Sequence, residues 1–291
     1  MSEFSKPRAD MGIASGASLA ERIESLAQSV RAEPAAAAHR WPLFQMLCLT
    51  GEWERALLQL QVLAQLDQSR ERTARTYRDL IRAERWRERV MLGALEPAFV
   101  YDDVDAWMRG LLDALRHAAR GEWDMCDEAR LRALDMAPLV SGFDGPNTFQ
   151  WIGDGDSRLG PVCEFFAAGG YRWIALSDVA NWRIPRPTAL IDLVWAPCAL
   201  TLRGGAVLHG FMPARYSGST HAQRDDRDEL CQGSKSVWQQ VGRTGVVGLG
   251  RKTWTTDAGD FGIFELAECS FGDGAPGANP PLDTGDTQAQ P

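Results

Sequence analysis

Over the first 140 positions apolar residues recur every three or four places. Leu19, Ile23, Leu26, Ala27 and Val30 make one series, Leu57, Leu60, Leu63 and Ala64 a second, and Leu111, Leu112, Leu115 and Ala118 a third. That period puts each series on one face of an α-helix. Glycines fall between the runs, at Gly51, Gly93, Gly110 and Gly121. Past residue 147 the texture becomes strand-like. Residues 163–176 read as two strands around Gly169-Gly170, and residues 198–212 repeat the arrangement around Gly204-Gly205. Residues 247–266 read as a third pair with a longer turn. Gly-Gly between apolar runs favours turns that need positive φ. Between the second and third pairs, "DDRDELCQGSKSVW" reads as a short helix and loop.

The pattern therefore predicts an α+β chain. Residues 1–17 form a flexible N-terminus and residues 18–140 an all-α helical-repeat domain. Residues 147–271 form a β-rich domain of antiparallel hairpins with a short helix. The Gly- and Pro-rich residues 272–291 form a disordered tail. A small internal repeat supports the first domain. "TGEWERAL" at 50–57 resembles "RGEWDMCDEA" at 120–129. Gly51 and Gly121 lie 70 residues apart, about two periods of the roughly 34-residue tetratricopeptide-type hairpin. In each copy the glycine would end one helix and Glu-Trp would open the next.

Composition narrows the function classes. The chain of 291 residues is 45% apolar and 24% charged, enough to build a core of ordinary size in a soluble globular protein. A net charge of −8 argues against general affinity for nucleic acid or anionic lipid. The N-terminus lacks the apolar core of a secretory signal, and no apolar stretch is long enough to span a bilayer. The six cysteines, Cys48, Cys126, Cys163, Cys198, Cys231 and Cys269, are evenly spread with no Cys-x-x-Cys pair. Buried thiols in a reducing cytoplasm are the simplest reading. The eleven tryptophans imply well-filled cores or an interaction surface.

Four features invite a chemical reading. Asp154 and Asp156 alternate in a Gly-rich loop, as calcium ligands do. A calcium loop would need an oxygen ligand at Arg158, a glycine at Leu159 and an acid at Phe165, so the template fails at three positions. Aspartates that accept backbone N–H bonds in a turn, with Arg158 as counter-charge, are the more economical reading. A P-loop reading of "GVVGLGRKT" fails because Arg251 stands at the lysine position and Lys252 at the hydroxyl position. His39, His117, His209 and His221 form no metal-pair spacing, and there is no Gly-x-Ser-x-Gly elbow. Arg75, Arg78, Arg82, Arg85 and Arg89, spaced three, four, three, four, form a basic stripe along one helix face. The stripe is either a docking face for an acidic partner or a solvated face balanced by Glu71 and Asp79. A carboxylate hydrolase built from Asp154, Asp156, Glu164 and Asp192 is one alternative function, and a general peptide-binding repeat protein is another. No residue set calls for a cofactor or metal.

Long stretches in order resemble one family. "FQWIGDGDSRLGPVCEFFAAGGYRWI" is similar to the ImpE family signature, also called TagJ, approximately F-x-W-I-x-D-x-D-x-R-L-G-P. Its matching positions are Trp151, Asp154, Asp156, Arg158, Leu159, Gly160 and Pro161. The likeness continues through "PTALIDLVWAPCAL" with Trp195, "FMPARYSGS" with Pro213, Arg215 and Tyr216, and "VVGLGRKTWTTD". "LFQMLCLTGEWERALLQLQVLAQLD" resembles the family's helical half, and Pro42 before it predicts a later helix start. The chain departs from the family at "LCQGSKSVW", where Ser234 replaces an arginine and Ser236 a threonine. The resemblance implies a cytoplasmic, non-enzymatic adaptor of a bacterial type VI secretion system. It further implies binding to a helix of the TssB-like sheath small subunit, and a link to the Clp-class (ClpV-like) ATPase that disassembles contracted sheath.

Overall fold

The structure, a computed structural model, describes residues 16–272. The expected flexible N-terminus and disordered tail lie, apart from residues 16, 17 and 272, outside the described residues. Six helices come first: α1 (Leu19–Ala32), α2 (Ala37–Thr50), α3 (Trp53–Leu66), α4 (Glu71–Met91), α5 (Ala106–Ala119) and α6 (Trp123–Met136). A strand-rich region with one short helix, α7 (Arg227–Cys231), follows them. The α+β class read from the sequence is the observed one.

Local chemistry explains the helix ends. Ser18 and Glu21 form a reciprocal capping box at the start of α1. The two Gly-Glu-Trp copies close their preceding helices with the same hydrogen bonds. Glu52 N–H donates to Leu47 C=O at 2.9 Å and Gly51 N–H to Cys48 C=O at 3.2 Å. Glu122 N–H donates to His117 C=O at 3.0 Å and Gly121 N–H to Ala118 C=O at 2.9 Å. These are Schellman closures, which need a left-handed residue, and Gly51 and Gly121 have φ of 74° and 73°. Pro42 does not delay α2, which begins at Ala37 with the proline inside it. The ring costs one backbone bond in the second turn, while the eight consecutive buried residues from Leu43 through Thr50, with Arg40 also buried, hold the helix by packing.

The strands are β1 (Ala98–Phe99), β2 (Gly142–Phe143), β3 (Thr148–Phe149), β4 (Ile152–Asp154), β5 (Val162–Ala167), β6 (Gly170–Ala175), β7 (Val179–Arg183), β8 (Trp195–Leu202), β9 (Val207–Pro213), β10 (Ser236–Val241), β11 (Gly245–Gly250), β12 (Thr253–Thr256), β13 (Gly259–Gly262) and β14 (Glu268–Phe271). A nine-stranded sheet runs β1-β6-β5-β9-β8-β7-β14-β2-β3. β13-β12-β4 and β10-β11 form two smaller sheets. The first expected hairpin is β5–β6, with its turn one residue earlier than Gly-Gly implies. Ala167 pairs with Gly170, so Ala168 and Gly169 make the turn, with φ of 49° and 71°. The second is β8–β9, with Gly204-Gly205 in its loop.

The expected third pair over 247–266 is instead divided between two sheets. β11 pairs back with β10, and β12 turns tightly into β13. Gly250, at φ 83°, ends β11, and Arg251 N–H crosses to Lys235 C=O at 2.8 Å, so the chain changes sheets there. The stretch read as helix and loop holds α7 and then the start of β10.

The core crosses the change in texture. One cluster joins Phe44, Leu47, Trp53 and Ile81 of the helices to Val162, Phe166, Trp173 and Trp195 of the sheet. A second, including Phe165, Ile174, Trp182 and Trp254, lies on the other side of the nine-stranded sheet. β5 is thus covered on both faces, which explains its unbroken apolar run apart from Glu164.

Candidate functional site

The helix α4 carries two sets of arginines. At 3.6 residues per turn, Arg87 projects from the side opposite the stripe. It is buried there, with Glu84 one turn before it. Arg87 makes a two-pronged contact with Glu164 of β5, Nε to Oε1 at 2.7 Å and Nη2 to Oε2 at 3.0 Å. Its Nη1 donates to Glu84 at 2.8 Å. Tyr171 Oη donates to Glu164 at 2.6 Å, and Trp195 Nε1 to Glu84 at 3.0 Å. Lys252 Nζ lies between two carboxylates, donating to Glu164 at 2.6 Å and also to Asp154. All these groups are buried, so every charge faces an opposite one. That matters because an unpaired ion in such a place costs several kcal/mol or more.

The electrostatics are asymmetric. Burial works against ionisation of Glu164, but Arg87 and Lys252 overcome it and hold its carboxyl far below the usual range. Burial dominates at Asp154, only partly offset by Lys252, and pushes it up to about 6. The ring faces of Tyr216 and Trp254 lie 5.5 and 5.4 Å from Lys252 Nζ and cover it further.

The aspartate loop leads out of this network. Asp154 accepts the N–H of Asp156 at 2.8 Å. Asp156, fully buried, accepts the N–H groups of Arg158 at 3.0 Å and Gly248 at 3.1 Å, and Arg158 Nε at 2.9 Å. The loop thereby fastens β4 to β11. Leu159 is buried. Gly160 sits at φ 54° against Leu134 of α6, where an added Cβ would stand 2.4 Å from a methyl group. Pro161 C=O accepts from Leu176 at 2.9 Å.

Arg215 is buried without a carboxylate partner. Its guanidinium instead donates to the C=O groups of Cys48 at 2.8 Å, Cys231 at 2.7 Å and Leu49. It thus caps the carbonyl ends of α2 and α7. Tyr216 Oη bridges the N–H and C=O of Thr253, both at 3.0 Å. Trp195 stacks on Trp53 with centroids 5.8 Å apart, and Pro213 pairs opposite it in the β8–β9 ladder. A second tie joins α6 to the β10–β11 turn, where Asp127 accepts Arg243 N–H at 2.7 Å.

The sequence motif positions thus gather at one junction, except Trp151, which is 36% exposed at its margin. Asp192 lies apart and accepts the N–H of Thr188 at 2.8 Å. Sequence reading passed over Arg87, Glu84 and Tyr171, and met Lys252 only as a misfit to the P-loop template. Two signals could have found them. Arg87 is out of phase with the stripe, and Lys252 alternates with the buried Trp254 and Thr256. A 920 Å³ cavity lies elsewhere on the sheet beside Arg183, Pro197, His209 and Glu268, and none of the network lines it. Among the described residues no group of three or more His, Cys, Asp or Glu is placed to hold a metal. All six cysteines are buried free thiols.

The basic stripe faces outward. Arg75 pairs with Glu71 at 3.3 Å, Arg82 with Asp79 at 3.2 Å and Arg85 with Glu54 at 2.5 Å. Arg78, Arg82, Arg85 and Arg89 rim a 310 Å³ groove floored by Leu57 and Ile81, with Trp86 beside it.

Helical hairpins joined to a multi-sheet body through a buried ion network define the class of this protein, an α+β protein with an enclosed polar junction. Residues 146–270 match the family described as ImpE protein. The chain is 36% identical over 253 residues, 87% of each chain, to the type VI secretion system accessory component TagJ of Pseudomonas aeruginosa. It belongs to the ImpE/TagJ family. The crystal structure of protein VPA1032 from Vibrio parahaemolyticus has the same fold, with a TM-score of 0.79 at 23% identity, covering 88% of this chain and 94% of that one. No helix among the described residues is long and apolar enough to cross a membrane.

Proposed function

We propose that this chain is a non-enzymatic, cytoplasmic accessory adaptor of a type VI secretion system. It docks the N-terminal helix of the TssB-like sheath small subunit and links contracted sheath to its Clp-class ATPase. The observation that carries the reading is the 36% identity to TagJ along 87% of both chains. The junction supports it. Asp154 and Glu164 are each committed to a buried cation and Asp156 to the partly buried Arg158, as a structural network would have them. Helical hairpins held rigidly on a sheet body offer an outer surface on which an amphipathic helix can lie with little reorganisation. Pull-down of the sheath small subunit by the full chain tests the reading. Capture is expected with the intact subunit and lost when its N-terminal helix is deleted. Equal capture of both forms would sink helix docking, and no capture of either would sink the adaptor reading.

A further inference from the structure

We infer that the groove along the outer face of α4 is the acceptor surface, and that its occupant is an acidic amphipathic helix of a partner protein. This rests on the adaptor reading and assigns it a place. The groove combines an apolar floor, Leu57 and Ile81, with arginines along its rim. Trp86 stands beside it, 44% exposed, with its indole N–H fixed to Glu96 C=O at 2.7 Å. An aromatic held in one orientation and left open to solvent is a ready anchor contact.

Charge decides the class of occupant. Four arginines and one aspartate line the groove on a chain whose net charge is −8. Asp79 and Glu54 engage Arg82 and Arg85, but among the described residues Arg78 and Arg89 form no ion pair with a carboxylate. A partner segment bearing Glu or Asp beside its apolar anchors would supply the missing charges. The 310 Å³ volume, at the bottom of the range for small-molecule pockets, suits one or two anchor side chains. The apolar floor between the arginines favours a protein helix over a bare polyanion, which would find no use for it. At one end Arg82 contacts Gly169 C=O at 3.4 Å, so the β5–β6 turn bounds the groove and sets where the helix must stop.

The test is fluorescence anisotropy with a labelled synthetic helix carrying leucines at i, i+3 and i+7 and glutamates between them, titrated with the full chain. The control peptide has the same composition, scrambled. The amphipathic peptide should bind more tightly than the scrambled one. Its affinity should fall at least about tenfold in an Arg78→Glu/Arg89→Glu chain, and in a Trp86→Ala chain. Arg132→Glu, on the exposed face of α6, should leave it unchanged. Circular dichroism of each variant reports folding. Equal binding of both peptides would reduce the groove to a polyanion site and overturn the inference, as would unchanged affinity in the folded double reversal. If the double reversal still captures the sheath small subunit, the groove assignment fails while the adaptor reading stands. If the acidic helix binds the groove and the sheath subunit is never captured, the adaptor reading fails alone.

Discussion

The two faces of α4 carry the same residue type to opposite ends. Arg87 points inward and, buried from solvent, meets Glu164, Glu84 and a backbone carbonyl. Arg75, Arg82 and Arg85, on the outer face of the same helix, meet carboxylates in solvent. In water an ion pair is worth about 0–1 kcal/mol, whereas breaking a buried pair costs roughly 3–5 kcal/mol. Phase along the helix, rather than the identity of the side chain, therefore decides which arginines hold the fold and which remain available to a partner.

That contrast can be broken most severely at Arg87. Arg87→Ala leaves Glu164 and Glu84 buried with less compensation, and urea unfolding should register a loss of about 3–5 kcal/mol. Asp154 gives the next largest effect. Its carboxyl is raised from 3.8 to about 6, so the folded state binds that proton more tightly than the unfolded chain does. Its contribution is fully present below pH 3.8 and is lost as pH rises through about 6. Asp154→Asn should therefore remove a decline in stability across that window, on the order of 3 kcal/mol, in unfolding curves taken at several pH values. Equal pH dependence in both proteins would mean Asp154 is ionised throughout.

The two repeat copies sharpen the same inner and outer distinction at smaller scale. A Cβ at Gly121 would meet nothing within 4 Å, whereas one at Gly51 would stand 2.9 Å from the Thr220 side chain. Gly121→Ala should cost about 1 kcal/mol from its left-handed backbone alone. Gly51→Ala should cost more, readable as a lower thermal midpoint. Smallest of all, Arg75→Ala should change stability by less than about 0.5 kcal/mol.

The helical half was legible because periodicity and the Gly-Glu-Trp repeat are local signals. The same repeat concealed a difference. Trp53 is buried against Trp195, while Trp123 is 46% exposed, and only the neighbouring sheet distinguishes them. The first two hairpins could be read from Gly-Gly turns. The division of 247–266 between two sheets could not, because β10, which claims β11, is half polar and looks like loop. The aspartate loop was read as a turn from its residue types. Its tie to Lys252, 98 positions away, and through Glu164 to Arg87, is long-range pairing that no short motif records.

The most direct measurement takes two readouts from one protein, the Arg78→Glu/Arg89→Glu chain: its thermal unfolding midpoint and its capture of the intact sheath small subunit. An outer face that serves a partner predicts an unchanged midpoint with capture lost. A lowered midpoint with capture intact would contradict that division of α4.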